Sequence, residues 1–426
     1  MQGARNADGP APAGPGAAEG GKTAAFLSVE AARARILARL LPTQTEIVPL
    51  PEAWGRVSAR LVPARLTNPP SDVSAMDGYA LRAADGAAGA MLRVIGEAPA
   101  GHPFAGTVAP GETVRLFTGS VLPPGADAIL LQEDAERHGE SVTVRETVAA
   151  GQHIRRAGQD FAAGDTLIPA GRRLGARDIG LTAAGNHPWV AVHRRPRVAI
   201  LATGDEITLP GEAIGPGGII NANAHALAAL VRAGGGEPLV LPIVADARDA
   251  IAVATGDLRG CDLLVTTGGA SVGAHDLVRE GLGARGFAPD FWKIAMRPGK
   301  PLMFGHAGEV PVLGLPGNPV AAMVCGLLFL LPALARLSGL PGDPPASVPA
   351  RLGAPVAAND RRADHLRARL SEGPDGGLVA TPFPSQDSAR LRLLADADAL
   401  VLRPPLAPAL AAGEIVPVLR LDGFGV

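Results

Sequence analysis

A glycine-rich stretch in the second half of the chain has the residue types of an anion-binding loop. It runs from Thr266 to Asp276, follows an apolar run at 261–267 that is typical of a buried strand, and precedes a segment that can begin a helix. Glycines let the backbone approach a ligand, and successive N–H groups beside a helix N-terminus supply partial positive charge. An ordinary turn between a strand and a helix is the alternative interpretation. The residues that would contact the anion are Gly268, Gly269, Ser271 and Gly273, and Asp276 adds a carboxylate that could hold a metal ion.

Three further segments in the same region carry charged or exposed polar groups. Thr203-Gly204-Asp205-Glu206 follows a predicted strand at 197–202, and Pro316-Gly317-Asn318-Pro319 follows another at 312–315. Residues 293–301 contribute Lys293, Arg297 and Lys300. Taken singly, each segment is better explained as a turn, a helix cap or solvated surface. Ligands of parallel sheets bind at the carboxyl ends of the strands, so their convergence there predicts a site for a phosphorylated ligand. Asp205, Glu206 and Asp276 would hold a divalent metal or act as general bases.

The order of predicted elements divides the chain into several parts. Strands and helices alternate from 194 to 340, which predicts an α/β unit with a mostly parallel sheet and helices on both faces. Short strands and turns from 68 to 149 predict a β-rich module, and short strands return after 341 as a small C-terminal β-barrel or sandwich. The fold class is therefore multidomain α+β with a central α/β domain.

Composition narrows the classes of function. The 426 residues carry 39 basic and 41 acidic side chains, a formal charge of −2, which does not favour nucleic acid or an acidic membrane as a partner. Cys261 and Cys325 lie in apolar runs without metal-ligand spacing, as expected for core thiols in a reducing compartment. The uncharged run 320–335 is shorter than the ~20 residues of a membrane span. We expect a cytoplasmic protein without a membrane segment.

The ordered motifs resemble the MoeA/gephyrin family. The central segments 203–206, 267–273 with Asp276, 297–301 and 314–319 are similar to the molybdopterin-binding domain of that family. The segments 74–80, 117–119 and 154–156, followed by Gly158 and Asp160, match its N-terminal half, and Gln386 with Ser388 matches its C-terminal domain. The motifs occur in the order of the family from about residue 26 to the end of the chain.

The resemblance implies a division of the chain and a fold for each part. Residues 1–24, rich in Gly, Ala and Pro, are predicted from their composition to be a disordered tail. By the resemblance, 25–67 with 150–193 would be an elongated linker and dimerisation domain. Residues 68–149 would be the β-rich domain, 194–340 a MogA-like molybdopterin-binding domain, and 341–426 the C-terminal barrel. A homodimer is implied, with some site residues coming from the partner subunit.

The implied activity is that of a molybdopterin molybdenumtransferase. Such enzymes take adenylylated molybdopterin and molybdate as substrates, cleave the adenylate with the help of Mg²⁺, and pass molybdenum to the dithiolene to give molybdenum cofactor. Handover of the product to molybdenum enzymes, or contact with the adenylyltransferase, is also implied. The alternatives are a MogA-type molybdopterin adenylyltransferase and a non-catalytic, gephyrin-like scaffold.

The resemblance also assigns roles to residues of this chain. Asp205, Glu206 and Asp276 would serve the metal and the attacking water, and Lys293, Arg297 and Lys300 would neutralise phosphate and molybdate charge. A further group would contact the substrate or line the cleft, together with the loop residues named above: Asp77, Thr118, Arg155, Asp160, Thr203, Gly204, Gly299, Pro301, Pro316, Gly317, Asn318, Pro319, Arg367 and Ser388. Ala274 and Ala321 depart from the family, which often has an acid and a serine at these places.

Overall fold

The computed structural model describes residues 26–268, 274–283 and 285–424. Within the first of these ranges, the N-terminal half of the chain begins with a helix whose first turn is capped by Ser28, which accepts a hydrogen bond from the N–H of Ala31 at 3.1 Å. The remaining elements of this half are mostly short strands. In chain order they are α1 (Val29–Ala38), β1 (Thr45–Pro49), β2 (Val62–Pro63), β3 (Val73–Ser74), β4 (Gly78–Leu81), β5 (Met91–Ala98), β6 (Glu112–Leu116), β7 (Ala128–Leu131), β8 (Ala135–His138), β9 (Ser141–Val144), β10 (Ile154–Arg155), β11 (Thr166–Ile168), α2 (Ala176–Ala184) and β12 (Trp189–His193).

The strands of the N-terminal half form one larger sheet and three small ribbons. In the described residues the sheet has the order β7-β4-β6-β5-β9-β8, with β5 and β6 parallel and the other neighbours antiparallel. The ribbons pair β1 with β12, β2 with β11 and β3 with β10. Each ribbon therefore pairs a strand that precedes the sheet in the sequence with a strand that follows the sheet. The resemblance predicts that 25–67 and 150–193 form one domain, and these domain boundaries stay a prediction.

The central part of the chain alternates strands and helices, as the sequence predicts. Its elements are β13 (Arg197–Thr203), β14 (Ile207–Thr208), β15 (Ile219–Ile220), α3 (Ala222–Ala233), β16 (Glu237–Val240), α4 (Arg248–Ala254), β17 (Leu263–Gly268), α5 (Ala274–Gly283), β18 (Ala288–Trp292), β19 (Met296–Arg297), β20 (Met303–Ala307), β21 (Val310–Leu315), α6 (Pro319–Cys325) and α7 (Leu331–Leu337). A π-helical segment, Gly326–Leu330, joins α6 to α7. The sheet order over the described residues is β16-β13-β17-β21-β20-β18, parallel from β16 to β21 and antiparallel beyond.

Both faces of the central sheet are buried. Along β13, Val198 and Ile200 lie in one core with α3, α6 and α7, and Ala199 and Leu201 lie in another with α4 and α5. Successive side chains of a strand point to opposite faces, so a strand covered on both sides is apolar throughout. The predicted two-faced, mostly parallel sheet is confirmed.

The apolar helix at the end of the central part is a core helix. One helix in the described part of the chain, Pro319–Leu337, is long and apolar enough to cross a membrane by length and composition, with a mean hydropathy of 2.2. In this fold 83% of that stretch is buried inside the protein. The apolar character of Val320 to Leu337 is thus explained by packing against α3 and α1.

The C-terminal part is a closed barrel, which confirms the predicted barrel. Its elements are β22 (Val348–Leu352), β23 (Ala363–Glu372), β24 (Leu378–Pro382), α8 (Leu391–Ala395), β25 (Ala399–Arg403) and β26 (Ile415–Arg420). Among the described strands, the ring runs β23-β24-β22-β26-β25 and closes through β23 and β25. The first two residues of β23 also pair with β19, so the barrel is joined to the central domain by backbone hydrogen bonds.

Candidate active site

A cavity of about 1170 Å³ lies at the carboxyl edge of the central sheet and is closed on one side by the C-terminal barrel. The predicted loops converge on it, because parallel strands end at the same edge. The predicted site residues that line it are Glu206, Gly268, Arg297, Gly299, Lys300, Pro301, Pro316, Gly317, Asn318, Pro319 and Ser388.

Gly268 is required by the close approach of two strands at the cavity floor. Its φ is +103°, and a Cβ atom there would lie 2.2 Å from the carbonyl oxygen of Thr203. Thr203 and Gly268 are register partners at the ends of β13 and β17. A side chain at position 268 would therefore separate the two loops that follow these strands.

The loop 297–301 is pressed against the core helix α6. Gly299 has a φ of +113°, and a Cβ atom there would lie 2.6 Å from Sγ of Cys325. The N–H of Ile294 donates to the carbonyl of Lys300 at 3.0 Å, which closes the loop. Lys300 is exposed, and its Nζ lies 5.4 Å from the ring centre of Phe26. These contacts fix the backbone of the loop, and Arg297 and Lys300 of the loop line the cavity.

Side-chain amides hold the other loops in place. Asn223, in the first turn of α3, donates to Oγ1 of Thr267 at 2.9 Å and to the carbonyl of Gly317 at 2.7 Å. Asn318 donates to Oγ of Ser388 at 2.8 Å, which links the start of α6 to the barrel. Asn223 lines the cavity and was not predicted, since nothing in the local sequence sets it apart from the other residues of the first helical turn.

Three carboxylates gather at one end of the cavity. Glu206 and Asp246 line it, and the N–H of Asp246 donates to Oδ1 of Asp205 at 3.1 Å. Burial raises the pKa of Asp246, and the charges of Glu206 and Asp205 raise the pKa further, while the nearby Thr203 side chain opposes the shift. Asp246 was missed in the sequence, although its place directly after a predicted strand is the same signal that marked Asp205 and Glu206.

The metal prediction is not tested by the described side chains. Among them there is no group of three or more histidine, cysteine, aspartate or glutamate residues arranged to hold a metal. The predicted set includes Asp276, whose side chain lies outside the described part, as do Gly269, Ser271 and Gly273. Mg²⁺ is commonly bound by one or two carboxylates together with waters and substrate phosphates. The oxygen donors Asp205 and Glu206 fit that mode of binding.

A different arginine from the predicted one reaches the cavity. Arg362 lines it, whereas Arg367 is 1% exposed and does not. The guanidinium of Arg367 donates to Oε1 of Gln386 at 3.3 Å and to the carbonyl of Asp387 at 3.0 Å. Arg367 therefore supports the loop that carries Ser388. Sequence reasoning missed Arg362 because it comes from another domain, and no local pattern sets it apart from its neighbours.

Three predicted residues of the central domain, Thr203, Gly204 and Lys293, are not among the residues that line the cavity. Thr203 ends β13, Gly204 follows it, and the N–H of Gly204 donates to the carbonyl of Val244 at 3.2 Å. Lys293 has a φ of +73°, and its Nζ lies 4.7 Å from the ring centre of Trp292. Their roles in substrate binding stay predictions.

The predicted residues of the N-terminal half form a separate group. Oδ1 of Asp77 accepts hydrogen bonds from the N–H and Oγ1 of Thr118 at 2.7 and 2.8 Å, which lower the pKa of Asp77. Oδ2 of Asp160 accepts from Asn68 at 3.1 Å, and Arg155 lies in β10 opposite Val73. None of the four predicted residues is among those that line the cavity of their own chain.

Comparison with known proteins identifies the three regions of the chain. Residues 27–185 match the MoeA N-terminal region (domains I and II), 199–336 match a probable molybdopterin-binding domain, and 349–421 match the MoeA C-terminal region (domain IV). Fold and cavity thus define a protein with a molybdopterin-binding type of α/β domain set between MoeA-type modules.

Similarity to named relatives extends over nearly the whole chain. The chain is 36% identical to the molybdopterin molybdenumtransferase of Nostoc sp., covering 91% of this chain and 92% of that protein. It is 35% identical to molybdopterin molybdenumtransferase 2 of Mycobacterium tuberculosis, covering 91% and 98%. A crystal structure of the molybdopterin biosynthesis moeA protein from Pyrococcus horikoshii matches with a TM-score of 0.80 and 28% identity, covering 93% of this chain and 100% of that one. The chain belongs to the MoeA family of molybdopterin molybdenumtransferases.

Replacing Asp246 with asparagine is expected to raise the free energy of unfolding at pH 7.5. Above its raised pKa, Asp246 is charged in surroundings that disfavour the charge, and Asp246→Asn removes that cost. As the pH falls through this pKa, the folded wild type takes up a proton and the advantage of the variant disappears. Urea denaturation at a series of pH values measures both effects. The exposed Asp343→Asn is the control, and a variant no more stable than wild type at pH 7.5 would contradict the electrostatic explanation.

Proposed function

We propose that this protein inserts molybdenum into molybdopterin, completing the molybdenum cofactor. The observation that carries the proposal is the single cavity in which glycine loops, the cations Arg297, Lys300 and Arg362, and the carboxylates Glu206 and Asp246 come together. Typical ligand cavities measure about 300–1,000 Å³. A cavity of about 1170 Å³ has room for a pterin joined to a nucleotide. The names of the relatives support the same activity.

The cations would bind the anionic parts of the substrates. Arg297 and Lys300 come from the central domain and Arg362 from the barrel, so the cavity offers positive charge from both sides of the domain contact. Guanidinium groups make forked hydrogen bonds to phosphate and other oxyanions. Charges and dipoles fixed before the reaction stabilise the charge that develops during it. These residues would hold the adenylate phosphate and molybdate next to each other.

The carboxylates would handle water and protons in cleavage of adenylylated molybdopterin. Glu206 lines the cavity beside Asp246, whose pKa is raised by burial and by the charges of Glu206 and Asp205. We propose that Asp205, Glu206 and Asp276 serve a Mg²⁺ ion. When bound, such an ion would offset the charge of the phosphate. Glu206 would orient the water that attacks the phosphate and accept its proton.

The first test is product formation. Purified protein given adenylylated molybdopterin, molybdate and Mg²⁺ is expected to release AMP and to yield molybdenum cofactor. AMP is measured by chromatography, and the cofactor by activation of a cofactor-free molybdenum enzyme. EDTA in place of Mg²⁺ is expected to slow AMP release. If molybdopterin and ATP give adenylylated molybdopterin while AMP is not released, the protein is an adenylyltransferase; no turnover in either assay would leave a scaffold role.

Glu206→Gln is expected to lower the rate of AMP release about 100-fold or more, because general-base catalysis contributes about 10²- to 10⁴-fold. The substitution keeps the size of the side chain, so unfolding by urea should change little. Glu212→Gln in the same segment is the control, since Glu212 is exposed and is not among the cavity-lining residues. An unchanged rate in Glu206→Gln would remove Glu206 from the mechanism.

We also propose a homodimer that brings Asp77, Thr118, Arg155 and Asp160 to the cavity of the partner subunit. The ribbon of β1 and β12 supports this proposal. Ile47 is 72% and Trp189 is 55% exposed, and both lie on the outward face of the ribbon, while Val48 and Val190 on the other face are buried. A second copy covering this face would remove the apolar side chains from water.

Ile47→Glu is expected to convert the dimer to a monomer, because it places a charge in the centre of that face. Light scattering measures the mass. Ile415→Glu, on an exposed position of the barrel, should leave the dimer intact. Cofactor formation should fall with dimerisation, and a fully active monomeric variant would contradict a site shared between subunits.

The remaining proposals concern the cellular setting. A cytoplasmic location is supported by the burial of the one apolar helix that has the length of a membrane span within the described chain. The resemblance to the MoeA family implies handover partners, and we propose transient contact with the adenylyltransferase that would supply the substrate and with the molybdenum enzymes that would receive the product.

A further inference from the structure

One carboxylate behind the cavity wall is shared by two of its arginines. Oδ2 of Asp360 accepts hydrogen bonds from Nη2 of Arg297 at 2.9 Å and from Nη2 of Arg362 at 2.6 Å. Oδ1 of Asp360 accepts from Nε of Arg362 at 3.2 Å and from its backbone N–H at 2.9 Å. Both arginines line the cavity and Asp360 does not. Asp360 therefore makes no contact with a bound ligand, and its hydrogen bonds act on the ligand through the arginines.

The loop that carries Asp360 is itself fixed. Nδ2 of Asn359 donates to the carbonyl of Arg362 at 2.9 Å and to that of Pro404 at 2.8 Å. The N–H of Leu406 donates to the carbonyl of Asp360 at 2.8 Å. The carboxylate is thus a stationary anchor rather than a mobile surface group.

Both arginines keep capacity for a ligand. In the described part of the chain, Arg297 uses one N–H group in a hydrogen bond, and Nη1 of Arg362 has no partner. Their side chains are 49% and 26% exposed. Oδ1 of Asp364 also lies 3.9 Å from Nε of Arg297, and the two guanidinium groups still keep N–H donors that a ligand could use. That arrangement suits a tetrahedral oxyanion, which accepts several hydrogen bonds at once.

The backbones of the two arginines do not depend on Asp360. Arg297 lies in β19, which pairs with Ala363 and Asp364 at the start of β23, and the N–H of Ala363 donates to the carbonyl of Ala295 at 2.9 Å. Loss of the Asp360 carboxylate should release the side chains while the strands stay paired.

We propose that Asp360 is a positioning residue, which holds the side chains of Arg297 and Arg362 in the geometry that binds the oxyanion substrate. The inference rests on the proposed function, since molybdate is the oxyanion of that reaction. Long charged side chains lose considerable rotamer freedom on binding. An anchor that orders both before the substrate arrives removes part of that entropic cost from the binding step.

The sign of the effect separates positioning from simple charge repulsion. Asp360 is 46% exposed, so water screens its repulsion of an anion, and removing its charge alone would tighten oxyanion binding by about threefold. Loss of preorganisation in two arginine side chains acts in the opposite direction and is expected to weaken binding by about tenfold or more. The positioning role therefore predicts weaker binding after a negative charge has been removed.

The test is calorimetric titration of the full-length protein with molybdate, without pterin. Asp360→Asn is expected to raise the Kd for molybdate about tenfold, and in the cofactor assay to raise the KM for molybdate more than it lowers kcat. Asp360→Glu, which can still accept from both arginines, should recover part of the affinity. Asp375→Asn is the matched control, because Asp375 accepts from Arg351 in the same barrel with similar exposure and away from the cavity.

Each outcome decides between the inference and the function on which it rests. Molybdate binding that is unchanged or tighter in a folded Asp360→Asn variant overturns the positioning role and leaves the proposed function standing. Wild-type protein that neither binds molybdate nor forms cofactor overturns both. If Asp360→Asn loses its circular dichroism signal, the comparison is made with Asp360→Glu instead. An affinity of Asp360→Glu equal to that of wild type, with Asp375→Asn also unchanged, supports retention of the anchor. A Kd of Asp360→Glu raised as far as that of a variant without the arginine, Arg362→Gln, contradicts it.

Discussion

The candidate site depends on the contact between the central domain and the barrel. Two residues, Met296 and Arg297, pair with the first two residues of β23, and the N–H of Val320 donates to the carbonyl of Ser388 at 3.2 Å. Neither domain alone carries both walls of the cavity. Because β23 also closes the barrel through β25, the strand that completes the barrel is the one that fixes the position of Arg297. The anion site is therefore complete only when the barrel is packed against the central domain.

Carboxylates and arginines lie close together in and around this cavity, and some of their charges destabilise the folded protein when no ligand is bound. Burial and the neighbouring carboxylates raise the pKa of Asp246, which means that folding holds charge where it is disfavoured. The cations Arg297 and Arg362 are satisfied in part by Asp360. A substrate with phosphate and oxyanion groups would pair with the remaining positive charge. Sites that bind charged transition states commonly store such unfavourable electrostatics in the free state.

The sequence predicts those features that follow from local pattern. The alternation of strands and helices predicts the sheet covered on both faces, and Ser28 predicts the start of α1. Both predictions succeed because the periodicity of apolar residues and the helix cap are encoded within a few neighbouring residues. The antiparallel strands β18 and β20 were not predicted, since exposed and buried residues do not alternate regularly along them. Arg362 and Arg367 are five positions apart in one strand region, and only the tertiary contact decides that the first reaches the cavity while the second is buried under Gln386. Asp246 was within reach of the same reasoning that found Glu206.

Departures from the family pattern acquire meaning from the same contacts. Ala321 lines the cavity, so the methyl group where a serine is frequent faces the region in which an oxyanion would bind. The neighbouring hydroxyl, that of Ser388, is held by Asn318 at 2.8 Å, and the Ser388 loop is supported from below by the buried guanidinium of Arg367. A hydroxyl fixed in this way loses little conformational entropy when a ligand binds, and the same holds for an arginine side chain anchored by Asp360. If an oxyanion binds here, the contact missing at Ala321 would leave its binding to these preorganised groups.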